Sequence, residues 1–111
     1  MIPSVQVGGV NYTVIEESKL SATASDGSTI WLNGHYLSSE AQIKIDADVA
    51  PSVKAAVLWH EISHAILTHA GIRDESETTV TALGYGLAQV VRDNPDLIAF
   101  TRKALISDSD Q

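Results

Sequence analysis

The chain has 111 residues, 44% of them apolar and 19% charged, with a formal net charge of −7. That is the make-up of one soluble globular domain, and its acidity argues against a nucleic-acid surface or a polybasic membrane contact, both of which need clustered Lys and Arg. It contains no cysteine, which excludes disulfides and any Cys-based zinc site, so a metal here has to be held by His and carboxylate.

The opening "MIPSVQVGG" has no charged leader region and no long apolar stretch, so no signal peptide is expected and the default location is the cytoplasm. "VQVGGVNYTV" alternates Val5, Val7 and then Val10, Tyr12, Val14 around Gly8-Gly9, a hairpin signal. Residues 16–28 are polar and read as a loop with an Asp26-Gly27 turn. "TIWL" reads as a strand, and Asn33-Gly34 as a second tight-turn dipeptide. "HYL" and "AQIKID" follow as strands, Ile43 and Ile45 alternating with polar neighbours. The first half is therefore expected to form a small, mostly antiparallel sheet of about four or five strands.

The second half reads as helices. Pro51 is a first-turn signal, and "SVKAAVLWHEISHAILTHA" then runs without a breaker to Gly71. A second helix is expected from after "GIRDE" to Arg92. Asn94-Pro95 separates it from a third, "PDLIAFTRKAL", and the tail "SDSDQ" is expected to fray. No segment is apolar for long enough to span a bilayer. The expected fold is α+β: residues 1–49 mainly strands and 51–106 mainly helices, the sheet packed on the HExxH helix, a ligand helix and a C-terminal helix.

The stretch "HEISH" carries the chemistry. At about 100° per residue, His60 and His64 lie roughly 40° apart, one turn above the other, so two imidazoles on one rigid helix can share a divalent ion. Glu61 lies about 100° further round, close enough to reach a water beside the metal without being an obvious ligand. Zinc lowers the pKa of a coordinated water, and such a carboxylate can take its proton as the water attacks a carbonyl. The competing reading is a core helix that happens to hold histidines. Against it, Glu61 is the only acid in residues 55–67, which contain no Lys, Arg, Pro or Gly, and a charge in so apolar a helix is costly unless paired or used.

A catalytic zinc takes three protein ligands, and His69, Asp74, Glu75 and Glu77 are the candidates for the third. His69 falls about half a turn of the wheel from His60 and better suits a helix end or the core. In the second helix Val80, Leu83, Leu87, Val90 and Val91 form the apolar stripe. Glu77 stands at its edge, whereas Glu75 projects to the other side. Glu77 is thus the expected ligand and Glu75 the alternative. Gly84 would let the two helices approach closely. The strand at residues 42–46, just before the metal helix, is expected to offer an edge on which an extended polypeptide could add as a strand. Tyr36, His35 and Tyr85 are candidate donors to a developing oxyanion, though spacing does not rank them. Trp59 is read as core, and Lys54, Arg73 and Arg92 as solvated charges.

"HEISHAIL" followed by "ESETTVTALGYGLAQVVRDNP", with the "QIKID" strand and "PSVKAAVLWHE" lead before it, resembles the small gluzincin-type metallopeptidases, ImmA/IrrE-like and phage-encoded minimal zinc peptidases. The likeness spans about residues 30–96. It implies a minimal zincin-like fold holding one zinc per chain, with His60, His64 and Glu77 as ligands and Glu61 as general base. Ser63 stands where many members have Gly, and the additional domain of larger members is missing from this sequence. The expected activity is therefore a zinc-dependent peptidase acting on a polypeptide; the alternative is a metal-binding regulatory or interaction module of the same fold. Neither oligomeric state nor substrate sequence is signalled.

Overall fold

A computed structural model describes residues 1–73 and 76–109. The strands are β1 (Ser4–Val7), β2 (Val10–Glu17), β3 (Ser21–Thr23), β4 (Thr29–Trp31), β5 (Gly34–Leu37) and β6 (Gln42–Asp46); the helices are α1 (Pro51–His69), α2 (Glu77–Asp93) and α3 (Pro95–Ser109). The fold is α+β, as expected.

The β1–β2 hairpin forms at Gly8-Gly9, whose φ values of +58° and +82° suit residues without a Cβ. The main sheet has the order β1-β2-β6-β5, with β2–β6 parallel and the other two pairs antiparallel. β6 is therefore an interior strand, hydrogen-bonded on both sides, and the expectation that residues 42–46 form an edge is corrected. The parallel pairing explains the difference: between β2 and β6 the chain makes an excursion and returns through β5, which takes the outer place. The free edge on that side of the sheet belongs to Gly34–Leu37.

The excursion also corrects the loop expected at residues 16–28. β2 runs on to Glu17, and Ser21–Thr23 pairs with Thr29–Trp31 as a separate two-stranded ribbon. Leu20, 2% exposed, pins the ribbon to the body, and the Asp26 carboxylate closes its turn by accepting from the Ser28 backbone N–H and hydroxyl. The polar surface of this stretch hid a single apolar anchor. Asn33-Gly34 does not join two paired strands; it carries the chain from the ribbon into the main sheet.

One face of the sheet packs on α1 through Tyr12, Ile43, Ile45, Val57, Leu58, Ile62 and Ala65, with Trp59 at the margin. Ile43 and Ile45 are fully buried and alternate with half-buried neighbours, as a period of two requires. Each such side chain contributes about 1.5–3 kcal/mol by burial. α1 starts on Pro51 and ends at His69, and Gly71, just past the Ala70 cap, turns the chain away with φ of +79°. The Ser76 hydroxyl caps α2 by accepting from the Thr79 N–H. α3 continues through Ser109, so residues 107–109 of the expected frayed tail are helical. Its main contact is with α2, and the sheet's main helix contacts are with α1, so the expectation that the sheet packs on all three helices is corrected; Phe100 is 69% exposed. Lys54 and Arg92, expected as solvated charges, form exposed ion pairs with Glu16 and Asp93. No helix among the described residues is long and apolar enough to cross a membrane.

Candidate metal centre

Four-residue spacing on α1 sets the His60 and His64 rings 5.0 Å apart with both Nε2 atoms turned toward α2. Glu77, the first residue of α2, meets them. Its Oε1 is 3.0 Å from His64 Nε2 and its Oε2 3.2 Å from His60 Nε2. A tetrahedral ion held at 2.0–2.1 Å by two ligands would set them about 3.3 Å apart, and the two Glu77–histidine distances lie near that value, each to a different carboxylate oxygen, while one ligand atom from each residue can be chosen so that all three lie within 4.8 Å of one another. The three residues could hold a metal ion. A neutral imidazole is the ligating form, and burial, reinforced by the neighbouring His60, moves the His64 pKa below its ordinary value against the opposing pull of Glu77.

What places Glu77 there is a close helix crossing. Gly84 is buried, and a Cβ on it would come within 2.5 Å of the His60 Cα. α2 therefore lies directly on the backbone of α1 at His60. Thr81, one turn beyond Glu77, puts its Oγ1 3.4 Å from His60 Nδ1, a long hydrogen bond that orients the ring through the nitrogen facing away from Glu77. Sequence reasoning missed Thr81, although its position four residues after Glu77 places it on the same helix face. Ser63, where Gly was the family expectation, is fully buried and donates its hydroxyl to the Trp59 carbonyl at 2.8 Å.

Glu61 is 6% exposed, and its Oε1 is 4.0 Å from His60 Nε2. Gly34 makes room for it: a Cβ there would lie 3.1 Å from Glu61 Oε1 and 2.5 Å from Val57 Cγ1. Burial, and after it the Glu77 carboxylate, push Glu61 up to about 7. A divalent cation at the neighbouring group would act in the opposite sense and favour the carboxylate.

These groups open onto a cleft of ≈ 530 Å³, walled by β5, by Ala22 and Leu32 from the ribbon segment, and by α2. His35, Tyr36 and Tyr85 all line it. His69 faces elsewhere, its Nε2 2.8 Å from the Tyr12 hydroxyl, and does not join the ligand group. Asp74 and Glu75 lie outside the described residues. No protein-family model, no curated protein and no solved structure matches the chain.

Proposed function

We propose that the chain is a zinc-dependent hydrolase, a peptidase acting on extended polypeptide. The observation that carries this reading is the pairing of a His60–His64–Glu77 group with a separate, recessed carboxylate, Glu61, on one open cleft. Two imidazoles and one carboxylate suit zinc among the common divalent ions. When bound, the ion supplies Lewis acidity, polarising a carbonyl and making a nearby water more acidic.

The protein's own groups do the rest. Glu61 has a carboxylate oxygen 4.0 Å from a ligand nitrogen and is not itself one of the ligand group, so it is free to take a proton from an attacking water and hand it to the leaving amine. Its niche beside Gly34 excludes bulk solvent, which strengthens that interaction. Thr81 holds the His60 ring in register. The polypeptide would lie along β5, whose outer edge pairs with no strand among the described residues and whose residues Gly34, His35 and Tyr36 line the cleft.

A metal-binding module with no hydrolytic role is the second reading, favoured by one feature: Glu77 is 72% exposed and ties the start of α2 to α1 as a structural clasp would. Chelation separates the two. A purely structural ion should take α2 with it on removal, whereas the Gly84 crossing and the sheet core should keep the fold intact if the ion is catalytic.

The primary test is metal content of the purified protein, of Glu77→Ala and of Glu61→Gln, with cleavage of fluorescently labelled, unfolded casein measured alongside. About one zinc per chain is expected in the parent and in Glu61→Gln, and none in Glu77→Ala. Only the parent should cleave. A parent that takes up no zinc after incubation with the ion overturns the proposal.

A further inference from the structure

Three ring systems outside the ligand group form a continuous chain that ends at the cleft. His69 Nε2 lies 2.8 Å from the Tyr12 hydroxyl, and that hydroxyl lies 3.1 Å from the hydroxyl of Tyr36. The Tyr36 ring in turn lies parallel to the His64 imidazole, 6° between planes and 6.4 Å between centroids. The chain is locked at its far end. Gly8, in the β1–β2 turn, leaves no room between itself and His69, because a Cβ there would come within 2.5 Å of His69 Cγ.

Tyr12 is 2% exposed and has one proton to share between two neighbours. If it donates to His69, Tyr36 must donate to Tyr12, and Tyr36 has no proton left for the cleft. If instead His69 Nε2–H donates to Tyr12, the Tyr12 proton goes to Tyr36 and the Tyr36 proton is free. Both bonds cannot run toward Tyr12 without burying an unused hydroxyl proton, which is costly. The tautomer of His69 therefore decides whether Tyr36 is a donor to the site.

Geometry favours the second polarity. Nε2 is the only His69 ring nitrogen with a hydrogen-bond partner among the described residues, whereas Nδ1 faces the Gly8 turn, where a proton would go unused by the protein. The Tyr12 phenol, pushed up to about 12 by burial and after it by Tyr36, keeps its proton in either polarity.

We infer that His69 and Tyr12 are positioning residues that orient the Tyr36 hydroxyl as a hydrogen-bond donor into the cleft, where it would meet the oxygen that becomes negative when a substrate carbonyl is attacked. Its role toward substrate rests on the proposed hydrolase; its orientation does not. Of the two candidate tyrosines, Tyr36 and Tyr85, only Tyr36 has its hydroxyl held by a hydrogen-bond partner among the described residues.

The experiment has two readouts. The first is the ¹⁵N shifts of the His69 ring by NMR, assigned by comparison with His69→Gln. A protonated Nε2 is expected; an unprotonated Nε2 with the proton on Nδ1 overturns the inference whatever the activity. The second is kinetics of the zinc-loaded protein on labelled unfolded casein. Tyr36→Phe is expected to lower kcat by about 10²–10³ with KM little changed, the effect of removing one oxyanion donor. His69→Gln, which keeps a donor, should stay near the parent, while His69→Glu, which can only accept, should fall toward Tyr36→Phe. His69 is exposed but packs on Gly8 and Tyr12, so the melting temperature of each variant is compared with the parent's before its kinetics are read. Full kcat in Tyr36→Phe overturns the inference. A parent that cleaves nothing while its His69 Nε2 is protonated removes the hydrolase and leaves the oriented donor standing.

Discussion

Gly84 lies on the backbone of His60: a Cβ at Gly84 would sit 2.5 Å from the His60 Cα and 2.8 Å from its nitrogen. This is the contact that lets Glu77, two turns earlier on α2, reach both histidines. Backbone atoms cannot move aside as a flexible side chain can, so Gly84→Ala must push α2 away. We expect it to lower zinc affinity by at least tenfold and to destabilise the fold by about 1–3 kcal/mol. Gly86→Ala, with nothing within 4 Å of its Cβ position, should instead stabilise by up to about 1 kcal/mol through helix propensity. Zinc titration and urea denaturation of the two variants check the contrast.

Glu61 is a buried carboxyl beside another acid, and that arrangement works against the metal-free fold. Glu61→Gln keeps the shape and removes the charge. The metal-free variant should melt above the parent at pH 7.5, by differential scanning calorimetry in chelator. An unchanged or lower melting temperature would show that the carboxylate is stabilised by something other than its visible neighbours.

Tyr12 gives a pH dependence with a definite sign. Its phenol is raised from 10.0 to about 12, chiefly by burial. A raised acid pKa means that the folded state holds the proton more tightly. The contribution is therefore fully present below pH 10 and is lost as pH rises through about 12. Around it stand the Tyr36 hydroxyl from β5 and the His69 ring from α1. The tyrosinate absorbance belonging to Tyr12, isolated as the difference between parent and Tyr12→Phe, should appear only together with loss of far-UV circular dichroism.

Burial separates α3 from the core. Phe100, 69% exposed on α3, should tolerate Ala with a change within about 0.5 kcal/mol, whereas Ile45→Ala, fully buried in β6, should cost about 2–5 kcal/mol. Denaturation midpoints of the two variants decide the point. A large loss in Phe100→Ala would mean that α3 is covered in solution.

The sequence by itself determined what depends on short-range periodicity. His60 and His64 face one way because a helix repeats every 3.6 residues, Ile43 and Ile45 face the core because a strand repeats every two, and Glu77 was separable from Glu75 because only one of them shares an edge with the apolar stripe of its helix. Pairing across the chain was not legible in that way. Nothing local marks β6 as interior and β5 as the edge, since that follows from the parallel return to β2; nothing local marks Leu20 as the anchor of a ribbon in a polar stretch. The tertiary structure alone placed Thr81 against His60, Gly34 against Glu61, and Tyr12 between His69 and Tyr36. Such contacts join residues 20 to 60 positions apart, and a hydrogen bond or a missing Cβ leaves no period in the sequence from which its partner can be read.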